Sequence, residues 1–339
     1  MLRAVLVGCG MMSHGWLKAA ATIEGLEIVG LVDLDIERAQ ALATAFDLGG
    51  VVVGADLDFI LASTRPDLLF DVVIPAARRD VVAAGFAHGC HVLSEKPMAE
   101  TMAQACDLVD LSRTSKRLHA IVQNRRYVPG IRRLRHFIDS GAIGRLTAIH
   151  CDFFIGPHFG GFREQMQHAL LLDMAIHTFD AARYLAVAAP KAVYCLETNP
   201  TNSWYAQGAS AQALFEFDGN IVVTYRGSWC AEGLRTSWES SWRLIGESGS
   251  LTWDGAEGFA AERVTATGEF YSTVEAVDIP ELSLDDAAYG HRGVLRDFVA
   301  AVRAGSEPET VSHDNIHSLA MVLAAIESAE SRRRVEISV

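Results

Sequence analysis

Apolar residues in the first third of the chain come in short unbroken runs, separated by stretches where they recur at helical spacing. Ala4–Val7 is such a run and ends at a glycine; Met12, Trp16 and Ala20 then follow the helical period. Leu26–Val32 reads as a buried strand ending in Asp33, and Asp35 is placed to cap a helix over Ile36–Phe46. Leu68–Ile74 is another strand, stopped by Pro75. Val81–Ala87 reads as helix, and Gly89 ends it. The strand His91–Ser94 runs into Glu95–Lys96–Pro97, and a helix from Glu100 to Ser115 precedes a strand at Leu118–Val122. Continuously apolar strands alternating with helices predict a parallel sheet covered on both faces.

The pattern changes after residue 122. A helix near Pro129–Ser140 precedes longer strands. Ala211–Phe217 and Asn220–Tyr225 flank Asp218–Gly219, a hairpin signal, and Trp242–Ile245 and Leu251–Trp253 flank a second turn. Antiparallel strands of this kind pack one face and leave the other free. Two helices, near Arg292–Arg303 and Asn315–Ser331, close the chain. No repeat or low-complexity linker separates the two halves.

Composition narrows the partners. A chain of 339 residues is long enough for two domains, and 50% hydrophobic with 21% charged residues is an ordinary globular balance. The formal net charge of −13 argues against nucleic acid and against an anionic membrane surface. The six cysteines are scattered, with no zinc-ligand spacing, and read as buried thiols of a reducing compartment. With no membrane-length apolar run and no signal-like start, the expected location is the cytoplasm.

Gly8–Cys9–Gly10–Met11–Met12–Ser13 follows a strand and opens a helix. There glycines let the backbone approach a pyrophosphate and the helix N-terminus supplies N–H donors. Ser13 replaces a third glycine at a position that needs only a small side chain. Asp33 ends the second strand, about 20 residues on, where a carboxylate accepts from the adenosine ribose hydroxyls. A carboxylate there repels a 2′-phosphate, which favours NAD; Arg38, one turn further, softens that preference and keeps NADP open. Asp173 and His177, at i and i+4, share a face if helical and suit proton transfer near neutrality. An ammonium such as Lys96 stabilises a developing alkoxide.

These residues, with Pro75, Asn124–Arg125–Arg126–Tyr127–Val128–Pro129 and Asp173–Met–Ala–Ile–His177–Thr–Phe–Asp180, resemble the Gfo/Idh/MocA oxidoreductases over nearly the whole chain. The resemblance implies an NAD(P)-binding Rossmann domain over 1–122. It implies a substrate-binding and oligomerisation α/β domain over 123–339, with a large open, mainly antiparallel sheet. It implies a cofactor held by Gly8, Gly10, Met11, Met12, Asp33, Pro75, Glu95 and Lys96, and catalysis by Lys96, Asp173 and His177. The implied reaction is hydride transfer between a secondary hydroxyl of a sugar, cyclic polyol or derivative and the nicotinamide. Asn124, Arg126, Tyr127, Arg163 and His168 are substrate-contact candidates. The segment Arg163–His168 departs from the glycine-rich turn common before the DxxxH motif, so Arg163 is read as contacting substrate oxygens or a carboxylate. Trp16 and Arg79 stand where histidines are common; neither departure is expected to touch the chemistry.

Two other functions compete: a redox-assisted glycosidase that retains NAD, and a non-catalytic cofactor-binding regulator. A metal gathered by His158, His168, Asp173 and His177 is disfavoured, because their spacing is non-specific. The free sheet face, read as apolar, predicts a homodimer or homotetramer.

Overall fold

The computed structural model describes residues 1–283 and 288–339. Two compact units divide the chain: Met1–Tyr127 with Asp285–Leu319, and Val128–Leu284 with Ala320–Val339. In chain order the elements are β1 (Leu2–Val7), α1 (Ser13–Ala20), β2 (Leu26–Val32), α2 (Ile36–Ala45), β3 (Val52–Gly54), α3 (Leu57–Thr64), β4 (Leu68–Asp71), α4 (Pro75–Ala87), β5 (His91–Ser94), α5 (Met102–Ser115) and β6 (His119–Ile121). There follow α6 (Pro129–Asp139), β7 (Leu146–Phe154), α7 (Phe162–Gln165), α8 (Ile176–Ala186), β8 (Pro190–Thr198), β9 (Ser210–Phe217) and β10 (Val222–Ser228). The chain closes with β11 (Ser241–Gly246), β12 (Gly249–Trp253), β13 (Phe259–Ala266), β14 (Thr273–Ala276), α9 (Gly290–Ala304), α10 (Ser312–Ser331) and β15 (Val335–Glu336).

The first unit holds a parallel sheet in the order β3-β2-β1-β4-β5-β6. Its central strands are buried on both faces where their side chains are continuously apolar, as in Ala4–Val7 and Leu68–Phe70. β4 stops three residues before the predicted end: the Asp71 Oδ1 accepts from the Val73 N–H at 3.1 Å, a turn that takes the chain off the sheet. Pro75 instead opens α4, where its missing N–H costs nothing. Val294, Leu295, Phe298 and Val299 of α9 sit in one core with Trp16, Leu17 and Leu31. A late segment of chain thus completes the first unit, with each fully buried large side chain contributing about 1.5–3 kcal/mol.

The second unit is built on a mixed sheet, β14-β13-β12-β11-β7-β10-β9-β8-β15, antiparallel except where β7 meets β10. Its inner face packs Ile149, Phe153, Phe215 and Leu244 against Leu134 and Phe137 of α6, Phe179 and Leu185 of α8, and Met321 and Val322 of α10. Both predicted hairpins are present, β9 with β10 and β11 with β12. The outward face corrects an expectation. The positions alternating with the core residues are mostly polar, including His150, Asp152, Gln212, Thr224, Arg226 and Arg243. Arg226 reaches both Asp152 oxygens, at 2.7 and 2.5 Å. An apolar-burial argument for association through this face therefore fails.

Candidate active site

At the end of β1, Gly8 has φ +93°, and a Cβ there would lie 2.6 Å from the Val72 carbonyl oxygen, so no side chain fits. Around Gly10 the space is open. Among the described residues the N–H groups of Gly10, Met11 and Met12 meet no protein acceptor, and α1 has no side-chain cap. Three free donors at a helix start form a cradle for an anion. Ser13 is fully buried, its hydroxyl donating to the Gly10 carbonyl at 2.5 Å, so it plays the packing role read for it. Asp33 accepts from the Cys9 N–H at 2.8 Å and from the Asp35 N–H at 2.9 Å, which fixes its carboxylate at the tip of β2. Asp35 caps α2 through the Arg38 N–H, while the Arg38 guanidinium lies 3.8 Å from Asp33. Exposed Met11, Leu34, Ile36 and Ile74 lie at or just beyond the same strand ends. A backbone cradle, an oriented carboxylate and apolar flanks fit a dinucleotide.

Two buried networks surround the turn after β5. Arg78 is 1% exposed; it donates to Asp71 at 2.7 Å, to the Val73 carbonyl at 2.5 Å and to the Pro97 carbonyl. The guanidinium thereby ties the residue after Lys96 to the end of β4. Burial pushes the Asp71 carboxyl above its usual range, against the pull of Arg78. The Ser94 hydroxyl pairs with the His119 Nε2 at 3.0 Å, and His119, fully buried and facing the Arg78 charge, is pushed down to about 3. It is neutral at any ordinary pH. Glu95 accepts from the Trp16 indole at 2.7 Å and lies 3.6 Å from the His291 Nε2. Burial alone would raise its carboxyl, yet His291, Trp16 and Lys96 hold it below the usual range. Trp16 therefore reaches the Glu95–Lys96 turn through Glu95, whereas Arg79 faces solvent and pairs with Asp107.

The candidates near residue 125 point inward. The Asn124 amide donates to the His291 Nδ1 at 3.2 Å. Arg126 bonds the Glu309 carbonyl and Asp314, each at 3.1 Å, and the Tyr127 hydroxyl donates to Asp297 at 2.7 Å. All three fasten the β6 end to the segment that returns from residue 288 onward.

In the second unit, Leu170–Ala175 forms a π turn that continues directly into α8. Asp173 lies in the wider turn and His177 in the regular one, so the spacing is not that of the uniform α-helix read from sequence; such turns are frequent at functional sites. Arg163 Nε donates to Asp173 Oδ2 at 2.8 Å. His168, at φ +50°, bonds Glu197 at 2.6 Å and lies 3.4 Å from Glu330. The hydrogen bond to Glu197 raises its pKa against the effect of burial. His158 instead stacks on Trp204 and pairs with Glu232. No group of three or more His, Cys, Asp or Glu side chains suited to a metal occurs among the described residues. Lys96 belongs to the first unit, Asp173 and His177 to the second. Sequence reasoning missed Arg78, His291 and the role of Trp16. Only Arg78, a charge in a helix flanked by apolar strands, left any signal.

Fold and cradle define a dinucleotide-binding α/β protein. Residues 2–123 match the family model described as oxidoreductase family, NAD-binding Rossmann fold, and residues 131–252 match the GFO/IDH/MocA C-terminal domain. The chain belongs to the Gfo/Idh/MocA oxidoreductases and is an NAD-binding oxidoreductase. It is 26% identical to a D-apiose dehydrogenase of Paraburkholderia graminis, covering 99% of this chain and 89% of that one. Its fold matches an oxidoreductase of Agrobacterium radiobacter in complex with NAD+, L-tartaric acid and magnesium (TM-score 0.85, 20% identity, 99% and 98% covered). It also matches a myo-inositol dehydrogenase of Lactobacillus casei in complex with NAD(H) and myo-inositol (TM-score 0.83, 19% identity, 100% and 97% covered). No helix among the described residues is long and apolar enough to cross a membrane.

Proposed function

We propose that the protein oxidises a secondary hydroxyl of a sugar, cyclic polyol or sugar derivative, or reduces the corresponding ketone. The observation that carries this is the pairing of a glycine cradle with Asp33 in the first unit and the Arg163–Asp173 pair one turn before His177 in the second. The nicotinamide, when bound, supplies the hydride acceptor or donor. Gly8, Gly10, Met11 and Met12 hold its pyrophosphate, Asp33 its adenosine ribose, and Pro75, Glu95 and Lys96 its other half.

His177 takes the hydroxyl proton, a task suited to imidazole near neutrality. The Lys96 ammonium stabilises the alkoxide as that proton leaves. Asp173 orients the base or binds a neighbouring hydroxyl. Of the substrate-contact candidates, Arg163 faces the substrate, while Asn124, Arg126, Tyr127 and His168 keep the frame. Association as a homodimer or homotetramer belongs to the same reading.

The experiment is NADH formation by the purified protein with NAD, and separately with NADP, across inositols, aldoses, sugar acids and anhydro sugars. Turnover that disappears in His177→Ala supports the reading. Cofactor binding without turnover on any of them counts against it. Hydrolysis of a chromogenic glycoside without added NAD would replace it with the glycosidase.

A further inference from the structure

The loop ahead of the π turn has no role so far beyond presenting Arg163. Gly160 and Gly161 both take positive φ, 67° and 68°, which bends the chain sharply, and Glu164 pins the bend by accepting from the Gly160 N–H at 2.9 Å. The bend presents two phenyl rings outward: Phe159 is 46% and Phe162 70% exposed. The Arg163 guanidinium carbon lies 5.2 Å from the centre of the first ring and 5.0 Å from the second. Phe159 continues into Trp238 and Trp229, at centroid distances of 6.3 and 5.7 Å. Trp238 is 43% exposed, and the Trp229 indole N–H is buried with no protein acceptor among the described residues. Exposed aromatic rings clustered round convergent polar groups are the composition of a ligand site.

The polar groups are specific. Arg163 spends its Nε on Asp173, and among the described residues its two terminal amino groups meet no protein acceptor. The pair thus sets a guanidinium beside a carboxylate, with no net charge between the two. An anion placed here would lose its hydration and gain little, because Arg163 attracts it while Asp173 and Glu164 repel it. The neighbouring Tyr205 reads the same field: burial first, then Glu164 and Asp173, push its phenol up to about 12 against the pull of Arg163. A pair of adjacent hydroxyls has no such conflict, since one accepts from the guanidinium and the other donates to the carboxylate.

Resting on the proposed oxidoreductase reading, we infer that Arg163 and Asp173, with Phe159, Phe162 and Trp238, select an uncharged ring bearing adjacent hydroxyls and turn away its carboxylated counterpart. The apolar C–H face of the ring lies on the aromatic side chains, and its hydroxyl edge meets the ion pair. Of the two options open to Arg163, substrate oxygens or a carboxylate, the geometry takes the first.

The test uses the full chain and matched rings, D-glucose with D-glucuronate, beside myo-inositol. Binding is read from tryptophan fluorescence, and turnover separately from NADH. The neutral ring should bind the wild type about tenfold or more tighter than its acid, as a buried group left facing the wrong partner dictates. Asp173→Asn frees the guanidinium and should shift the binding ratio toward the acid by about tenfold, to near parity or beyond, a change of preference that a merely structural role does not produce. Phe159→Ala should weaken the neutral ring about tenfold, with Phe159→Leu recovering part of the loss and fixing whether folding is at fault. Equal or tighter binding of glucuronate by the wild type, or no binding of any ring, overturns the inference. Selective binding without turnover sustains it while defeating hydroxyl oxidation, so the two failures are distinct.

Discussion

The turn around Lys96 and the segment around Asp173 handle charge in opposite ways. In the first, Asp71, Arg78 and Glu95 are all buried, and Arg78 spends all three of its donor groups within the unit. In the second, charges are partly exposed, aromatic rings face outward, and among the described residues the two terminal amino groups of Arg163 meet no protein acceptor. A fully matched buried network specifies one geometry and is costly to disturb. A partly exposed pair beside outward-facing aromatic rings has less to do with holding the fold and more to offer a ligand. Substitutions should therefore separate: folding losses from the first region, activity losses from the second.

The largest separation is expected from His177→Asn. Loss of a proton-transfer group should lower kcat by about 10²–10⁴-fold while the melting temperature barely moves. Steady-state kinetics beside calorimetry checks this; unchanged kcat breaks the comparison on the side of the second region. Next comes Arg78→Met, which leaves Asp71 as an uncompensated charge and should destabilise by about 3–5 kcal/mol. Urea unfolding measures it, and a variant as stable as wild type would mean that the Asp71–Arg78 pair is not part of what holds the turn.

The histidines sharpen the contrast, because their pH dependences have opposite signs. His119 is depressed to about 3 from an ordinary 6.5, so the unfolded chain takes up a proton before the folded one does. Its contribution is whole above 6.5 and is lost as pH falls, by roughly 2 kcal/mol at about pH 5. His168 is raised by its hydrogen bond to Glu197, so its contribution is whole below the ordinary value of 6.5 and is lost as pH rises through the folded value. His119→Asn should flatten the acid limb of the stability profile and His168→Gln the alkaline limb. A variant that alters the other limb would contradict the assignment.

How much of this was legible depends on the range over which each feature is encoded. The bounds of β2 and β5 coincide with those read from the sequence, because their buried apolar stretches, which include Leu31–Val32 and Val92–Leu93, lie inside a covered sheet. β3, three residues long, gives no periodic signal at all. β7 hides its alternation because its pairing with β11 shifts register beside Ala148. The cradle glycines and Asp33 are local and legible directly, whereas the chemistry proposed for Lys96 and His177 rests on resemblance. The π turn was not legible, since an added residue in a helical step leaves no mark in the spacing of apolar residues. Nor was the return of α9 to the first unit, by which His291 comes to Glu95 across nearly two hundred positions (Glu95 to His291). Contacts of that separation are dictated by topology.

The smallest expected effect lies at Trp16, and it tests whether the matched network is tuned for stability alone. Trp16→Phe keeps a ring against Phe70, 5.4 Å away between centroids, and removes only the indole donor to Glu95. A hydrogen bond to a charged group contributes about 1.5–3 kcal/mol, but His291 and Lys96 remain to compensate, so a loss of about 1 kcal/mol is expected. The Glu95 carboxyl is held below its usual range, so its stabilisation is present at neutral pH and lost as pH falls; without the indole that loss should begin at higher pH. If Glu95 only props the turn, kcat will follow wild type once folding is complete. If it also sets where the Lys96 ammonium points, kcat will fall several-fold at neutral pH with KM unchanged, and the first region will then be part of the chemistry as well as of the frame.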